Sequence, residues 1–156
     1  MKADDFRAAM GAVATPVAVV TAMDHGRPHG TTVSAFTSLS LDPPMLLVAL
    51  NRDSSLLSIV TRTRRFAVNI LTAQQSGLAL TFARKGDDKF TGVPWTKQHG
   101  LPRLEALSGW LACEVDQLVP GGDHVVATGR VTVAEHDSQA PLTYHRRTFG
   151  THLIQT

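Results

Sequence analysis

Along this chain, apolar residues recur at alternate positions or in short unbroken runs, and only three stretches carry a helical spacing. Val17-Ala-Val-Val-Thr-Ala22 is a short β-branched run that predicts a buried strand. Asp24-His-Gly-Arg-Pro28 is a turn, so a hairpin leads into a strand beginning near His29. Met45–Leu50 predicts a third strand and the alternating Arg65–Ile70 a fourth. Further on, Trp110–Val119 and Val125–Val133 flank Pro120-Gly-Gly-Asp123, a hairpin signal. Alternation puts Leu111, Cys113, Val115 and Val119 on one face of the first of these strands. Val125, Ala127, Val131 and Val133 share one face of the second, leaving His124, Thr128 and Arg130 on the other. The tail from Pro141 to Gly150 predicts one more short strand.

The helical stretches are short. Asp4 or Asp5 is positioned to cap a helix through about Val13, with Phe6, Ala9 and Met10 on one face. Asn51-Arg-Asp-Ser-Ser55 reads as a helix start, followed by an apolar face of Leu56, Leu57, Ile59 and Val60. Thr72-x-x-Gln75 fits a capping box for a helix that includes Leu78 and Phe82. Between Ala83 and Arg103 the pattern lapses into a polar, Gly- and Pro-bearing connection. Strands outnumber helices and cluster by hairpins, which predicts a mainly β fold, an antiparallel barrel with peripheral helices, in a single domain spanning 1–156.

Composition narrows the function classes. A chain that is 43% hydrophobic and 18% charged builds a globular core and is not disordered. Its net charge of +2 is interspersed, with no basic cluster beside stacking aromatics, so no nucleic-acid partner is expected. No apolar run reaches membrane-spanning length and the first residues lack a signal core, so a cytoplasmic location is expected. The lone Cys113 excludes an internal disulfide and a Cys-based zinc site, and the seven histidines show no metal-ligand spacing, so no metal is expected. Dinucleotide-fold and P-loop signatures are absent, as is a Gly-x-Ser-x-Gly elbow.

The informative stretch is Gly30–Pro44. An apolar/hydroxyl alternation runs into hydroxyls at Thr37, Ser38 and Ser40, then a double proline, with small side chains at Thr32, Ser34, Ala35 and Ser38. Small residues let a flat ring approach the main chain, and spare N–H and O–H groups can bond it. The spacing of Gly30, Thr32, Ser34, Ser38, Ser40, Pro43 and Pro44 resembles the flavin-binding stretch of the short-chain flavin reductases. These are reductase components of two-component flavin monooxygenases, with an FMN-binding split-barrel fold.

That resemblance implies FMN or FAD as cofactor and NADH or NADPH as co-substrate. It implies flavin contacts at Thr32, Val33, Ser34, Ala35, Ser38 and Leu39, and a ribityl-phosphate side at Asn51, Ser54 and Ser55. A basic residue, Arg84 or Lys85, would meet phosphate ahead of Gly86-Asp-Asp-Lys-Phe90, with Phe90 also at the flavin. Gly122-Asp-His124 resembles the family motif whose histidine touches the nicotinamide nucleotide, which gives His124 a positioning role in hydride transfer. Tyr144, Arg146 and Arg147 match the closing segment on the nicotinamide side, with Phe149 where a tyrosine can stand. A homodimer and a separate monooxygenase that receives the reduced flavin by diffusion are further implied. The rival readings are a flavin-binding or flavin-sensing barrel without turnover, and a pyridoxine-phosphate-oxidase-like enzyme.

Overall fold

The computed structural model describes residues 1–156. In chain order the elements are α1 (Ala3–Met10), β1 (Thr15–Pro16), β2 (Ala18–Asp24), β3 (Arg27–Val33), β4 (Phe36–Leu41), β5 (Pro44–Asn51), α2 (Ser55–Thr63), β6 (Arg65–Ile70), α3 (Ser76–Ala83), β7 (Trp95–Gln98), β8 (Leu101–Leu104), β9 (Gly109–Gly121), β10 (His124–His136), β11 (Leu142–His145) and β12 (Thr148–Thr151). Seven strands form one antiparallel sheet in the order β3-β2-β6-β9-β10-β5-β4. Two smaller sheets, β1-β11-β12 and β7-β8, complete the fold.

The large sheet is rolled. Val33 on β3 and Leu46, Val48 and Leu50 on β5, near opposite ends of the strand order, meet in one buried cluster. The faces of β2, β6 and β9 turned the other way supply Val19, Ala67, Trp110 and Ala112 to a second cluster, closed by Ala79 and Phe82 of α3 and by Leu101 and Leu104 of β8. Both faces of the central strands are thus covered, which is why β2 reads as an unbroken apolar run rather than an alternation. Helix α2 buries Leu56, Leu57, Ile59 and Val60 in the first cluster, each worth about 1.5–3 kcal/mol of transfer free energy.

Between the sheet and the β7–β8 hairpin lies a buried polar knot. Asn69 donates to the Val19 carbonyl and the Thr21 hydroxyl, both at 3.0 Å, and accepts the Leu104 N–H at 2.9 Å. Thr21 in turn donates to the Pro102 carbonyl at 2.7 Å. Each of these bonds ties the hairpin to the barrel or closes the knot, so Asn69 is satisfied although wholly buried.

Several expectations need correction. The sequence pattern predicts no separate strand between the one beginning near His29 and Met45, yet Phe36–Leu41 is a strand of its own, paired with β5 and bulged between Ser38 and Ser40. The polar connection after Ala83 contains the β7–β8 hairpin. The β9–β10 ladder shifts register twice, between Thr128 and Gly129 and between Val131 and Val133. The shifts move Leu118 to the first cluster in place of Val119, which is exposed, and send Val133 to the second cluster. At Gly129 a Cβ would lie 2.7 Å from the Phe66 ring, so the bulge brings the strand closer to the core than any side chain allows. Helix α1 begins at Ala3 and has Lys2, not an aspartate, at its N-cap; it ends at Met10 with no residue buried. The capping box is half made: Gln75 accepts the Thr72 N–H at 2.9 Å, but Gln75 itself occupies the N-cap.

Candidate functional site

β3 is the last strand of its sheet, so alternate N–H and C=O groups on its outer edge have no ladder partner. Along that edge lies a cavity of about 210 Å³ lined by Thr31, Thr32, Val33, Ser34, Ala35, Ala49, Leu50, Asn51, Ser54 and His124. The structure therefore gathers seven residues chosen from the sequence around one space: Thr32, Val33, Ser34, Ala35, Asn51, Ser54 and His124.

The polar groups of the wall divide into committed and free. Thr32 donates its hydroxyl proton to the Ala79 carbonyl at 2.6 Å, which commits it within the chain. Asn51 accepts the Asp53 N–H on its side-chain oxygen at 2.8 Å and the Ser54 N–H on its carbonyl at 3.0 Å, which shapes the corner leading into α2. Ser54 occupies the N-cap but makes no capping bond, leaving its hydroxyl free at the start of α2. Ser34 is exposed, with no side-chain partner.

Across the cavity, His124 stands opposite Asn51 in the β5–β10 register. Its Nδ1 lies 2.7 Å from Asp123 Oδ1. That hydrogen bond, and then the imidazole's charge, hold the Asp123 carboxyl below the usual carboxylate range. Arg52 brackets the same turn, donating its backbone N–H to the Asp123 carbonyl at 3.0 Å and Nε to the Gly122 carbonyl at 2.7 Å.

Farther along the β3 edge is a water-sized hollow lined by Pro28, His29, Gly30, Ser55, Leu56, Gly86, Asp87, Lys89 and Phe90. Ser55 and Phe90 stand here rather than in the larger cavity. Lys89 donates Nζ to the carbonyls of Gly30 and Phe82, each at 3.1 Å, and so straps the 84–90 segment across β3. Burial there, and next the charge of Arg84, lowers the Lys89 ammonium from its ordinary value. Gly30 leaves no room for a side chain, since a Cβ would sit 3.1 Å from the Phe82 ring. Arg84 and Lys85 are exposed beside this hollow without lining it, and Arg84 Nε reaches the Thr81 carbonyl at 3.3 Å.

Other sequence-selected residues lie elsewhere. Ser38 and Leu39 are exposed on β4 and line neither space. Tyr144 packs on Phe149 at 5.2 Å in the small sheet, and Arg146 donates its backbone N–H to the Gly11 carbonyl. Within one chain, Tyr144, Arg146 and Arg147 line neither space. Arg52, Asp123 and Lys89 gain roles the sequence reading did not assign, although each lies in or beside a stretch that reading marked. A second cavity of about 240 Å³, between Arg103, Trp110 and His136, holds none of the selected residues.

Comparison with known proteins decides the family. A model described as "Flavin reductase like domain" matches residues 10–152. The chain belongs to this family. It is 41% identical over 147 residues to the reductase component of 4-nitrophenol 4-monooxygenase/4-nitrocatechol 2-monooxygenase from Rhodococcus opacus, covering 94% of this chain and 79% of that protein. It is 40% identical over 153 residues to the stachydrine N-demethylase reductase subunit Stc3 of Rhizobium meliloti (strain 1021), covering 94% of this chain and 66% of that one. Among solved structures, the Streptomyces globisporus C-1027 NADH:FAD oxidoreductase SgcE6 in complex with NAD and FAD fragments superposes with a TM-score of 0.90 at 31% identity, covering 94% of this chain and 90% of that one. Against two R. meliloti relatives, the chain spans 46% and 66% of their lengths. The architecture is that of the split-barrel flavin reductases.

Proposed function

We propose that this chain is an NAD(P)H-dependent flavin reductase that passes reduced FMN or FAD to a separate monooxygenase. The observation that supports this best is the cavity lined by Thr31–Ala35, where the edge strand β3 ends, with His124 on its far rim. A flat ring suits such a wall: Ser34 and Ala35 are small and exposed, and edge N–H groups are free to bond its polar rim. The free Ser54 hydroxyl and the start of α2 suit a phosphate-bearing tail, with Ser55, Phe90 and Arg84 or Lys85 farther along. Bound flavin supplies the hydride-accepting chemistry. This chain's residues supply orientation, which is worth about 7–11 kcal/mol where two reactants are well aligned. Main-chain N–H groups at the wall also stabilise negative charge on a ring that gains electrons. No side-chain acid or base is needed for the hydride step, so His124 acts by position.

A second copy of this chain is the occupant we propose for the apolar side of α1 and the turn after it, where Phe6, Met10 and Val13 are all exposed. The Arg146 N–H bond to the Gly11 carbonyl puts the Tyr144–Arg147 segment beside that face, so a dimer formed there would involve it. A monomeric mass by light scattering at micromolar concentration would refute it. No helix is long and apolar enough to cross a membrane. We assign the protein to the cytoplasm, where reduced nicotinamide nucleotide is available.

The test is NADH or NADPH oxidation followed at the nicotinamide band, with fixed protein and rising FMN or FAD. Saturable acceleration, with flavin in large excess reduced, supports a reductase that releases its product; release requires modest affinity, about −8 kcal/mol at a micromolar Kd. A flavin that survives gel filtration and leaves turnover indifferent to added flavin would overturn the carrier role. Absence of any oxidation would overturn the reductase reading. Replacing Arg84 and Lys85 by Ala should weaken FMN binding more than riboflavin binding, and equal losses would remove both residues from the phosphate.

A further inference from the structure

The second cavity, of about 240 Å³, is built where the segment after β8 meets the far end of the β9–β10 ladder. Register places Glu135 opposite Trp110 and His136 opposite Gly109. His124 begins β10 and His136 ends it, so at about 3.3 Å per residue the two cavities lie roughly 35–40 Å apart along one strand. Trp110 and Leu107 form a buried floor, Arg103 and Glu135 a half-buried wall, and the exposed His136 and Asp137 the mouth.

Two donors here are left without acceptors. Trp110 is wholly buried and its Nε1–H has no hydrogen-bond partner, and neither has the shielded Nε–H of Arg103. A buried donor without an acceptor is destabilising, which calls for an occupant that accepts. The nearby carboxylate is already engaged: Glu135 pairs with Arg103 Nη2 at 3.2 Å on one oxygen and accepts Gln98 Nε2 on the other. At the mouth, Asp137 accepts the Gln139 N–H on Oδ1 at 3.1 Å, and its Oδ2 is free to accept.

Charge then selects the occupant. Beside His136, the lining holds one cation, Arg103, and two carboxylates, Glu135 and Asp137. An anion would satisfy the inner donors but meet an excess of negative charge. A cation would suit the mouth but leave the two inner N–H groups unpaired. A neutral group that accepts at one atom and donates at the next fits both ends.

We propose that this cavity binds a small uncharged amide or lactam, its carbonyl oxygen accepting from Trp110 Nε1 and Arg103 Nε and its N–H donating to Asp137. The Arg103 side chain, 30% exposed, can move to admit it. The site does not depend on the flavin reductase reading, since none of its residues lines the spaces assigned to flavin.

The experiment titrates the full chain with ring compounds of one size and follows the indole Nε1–H signals in ¹H–¹⁵N spectra. Trp110 is assigned by the loss of the Trp95 signal in W95F. 2-Piperidone should move the Trp110 signal saturably, in the millimolar range expected of so small a ligand. Cyclohexanone lacks the N–H and should bind about fivefold more weakly, the size of one hydrogen bond. Piperidinium and cyclohexanecarboxylate should not saturate. Arg103→Lys keeps the charge beside Glu135 but has no Nε–H, and should weaken 2-piperidone about fivefold. Asp137→Ala should remove the lactam's advantage over the ketone. A Trp110 signal that no probe moves overturns the proposal, as does a response confined to Trp95. Equal binding of lactam and ketone, or tighter binding of either ion, overturns it too. Should Arg103→Lys fail to fold, the probes on the wild type still decide. NADH oxidation enters none of these readouts, so this proposal and the functional reading fail separately.

Discussion

The turn at Gly122–Asp123 and the turn at Arg146–Arg147 each reverse a β-hairpin in two residues, and they are held by different means. The first places glycine at φ 66°, where no side chain is strained, and leaves the aspartate free to bond His124. Arg52 then braces it from outside with two hydrogen bonds. The second places two arginines in the left-handed region, at φ 45° and 63°. Each costs about 1–2 kcal/mol relative to a relaxed backbone. Its tie to the rest of the chain is one bond, from the Arg146 N–H to the Gly11 carbonyl. The turns at His25-Gly26 and His99-Gly100 have the same two positive φ angles but put glycine second. Side chains kept where the backbone resists them point to a task for the side chains, in keeping with the nicotinamide-side role that the family resemblance implies for Arg146 and Arg147.

The two turns can be separated by substitution. The largest effect expected is at the braced turn: His124→Ala should raise KM for NADH about tenfold, with flavin affinity within a few-fold and only a slight loss of stability. A collapse of flavin affinity with unchanged nicotinamide kinetics would mean that His124 faces the other partner. Next is Arg146→Asn with Arg147→Gly, which should stabilise by about 1–2 kcal/mol as the strain is released, or roughly 2–8 °C in Tm. The same variant should raise KM for NADH a few-fold; a gain in stability with unaltered kinetics would make the strain incidental.

Smaller still is the pH response. The Asp123 carboxyl is depressed by its bond to His124, so its contribution is present above the ordinary carboxylate pKa, about 3.9, and is lost as pH falls through the folded value. A carboxyl ¹³C titration should find its midpoint below that of a free aspartate, and His124→Ala should return it toward the ordinary value. The last expected effect is nil. Burial pushes the Cys113 thiol up to about 12, so it should resist thiol reagents at pH 8 in the wild type and in both turn variants. Labelling in any of them would show that the change had opened the barrel and not merely the turn.

Much of this was legible in the residues, and the failures have physical causes. Helix α2 declared its buried face because its apolar residues lie on a core with a single side. Arg65–Ile70 matched β6 residue for residue for the equivalent reason in a strand. The β7–β8 hairpin escaped notice although its His99-Gly100 turn repeats the His25-Gly26 dipeptide, because Pro102 and the polar Thr96-Lys-Gln98 obscure the strand pattern. Alternation misassigned Val119 and Val133 because each bulge adds a residue that the period of two cannot see. In the cavity, small residues and hydroxyls marked the wall, but nothing local announces that the Thr32 hydroxyl is taken by Ala79, 47 residues away. Arg52 likewise acts across 70 residues of chain, a distance at which composition is silent.

The Thr32 bond has an evolutionary consequence. If the wall from Thr31 to Ala35 recognises its ligand through peptide groups, that recognition cannot be edited by point substitution, provided the replacements stay small. A lineage diversifying from this chain would keep its grip on a flat ring almost unchanged while its sequence there drifted. Changes in cofactor preference would instead be drawn to positions where side chains meet the ligand's periphery: the start of α2, the segment strapped by Lys89, and the rim at His124. The wall conserves a shape, and its borders are where selection has letters to change.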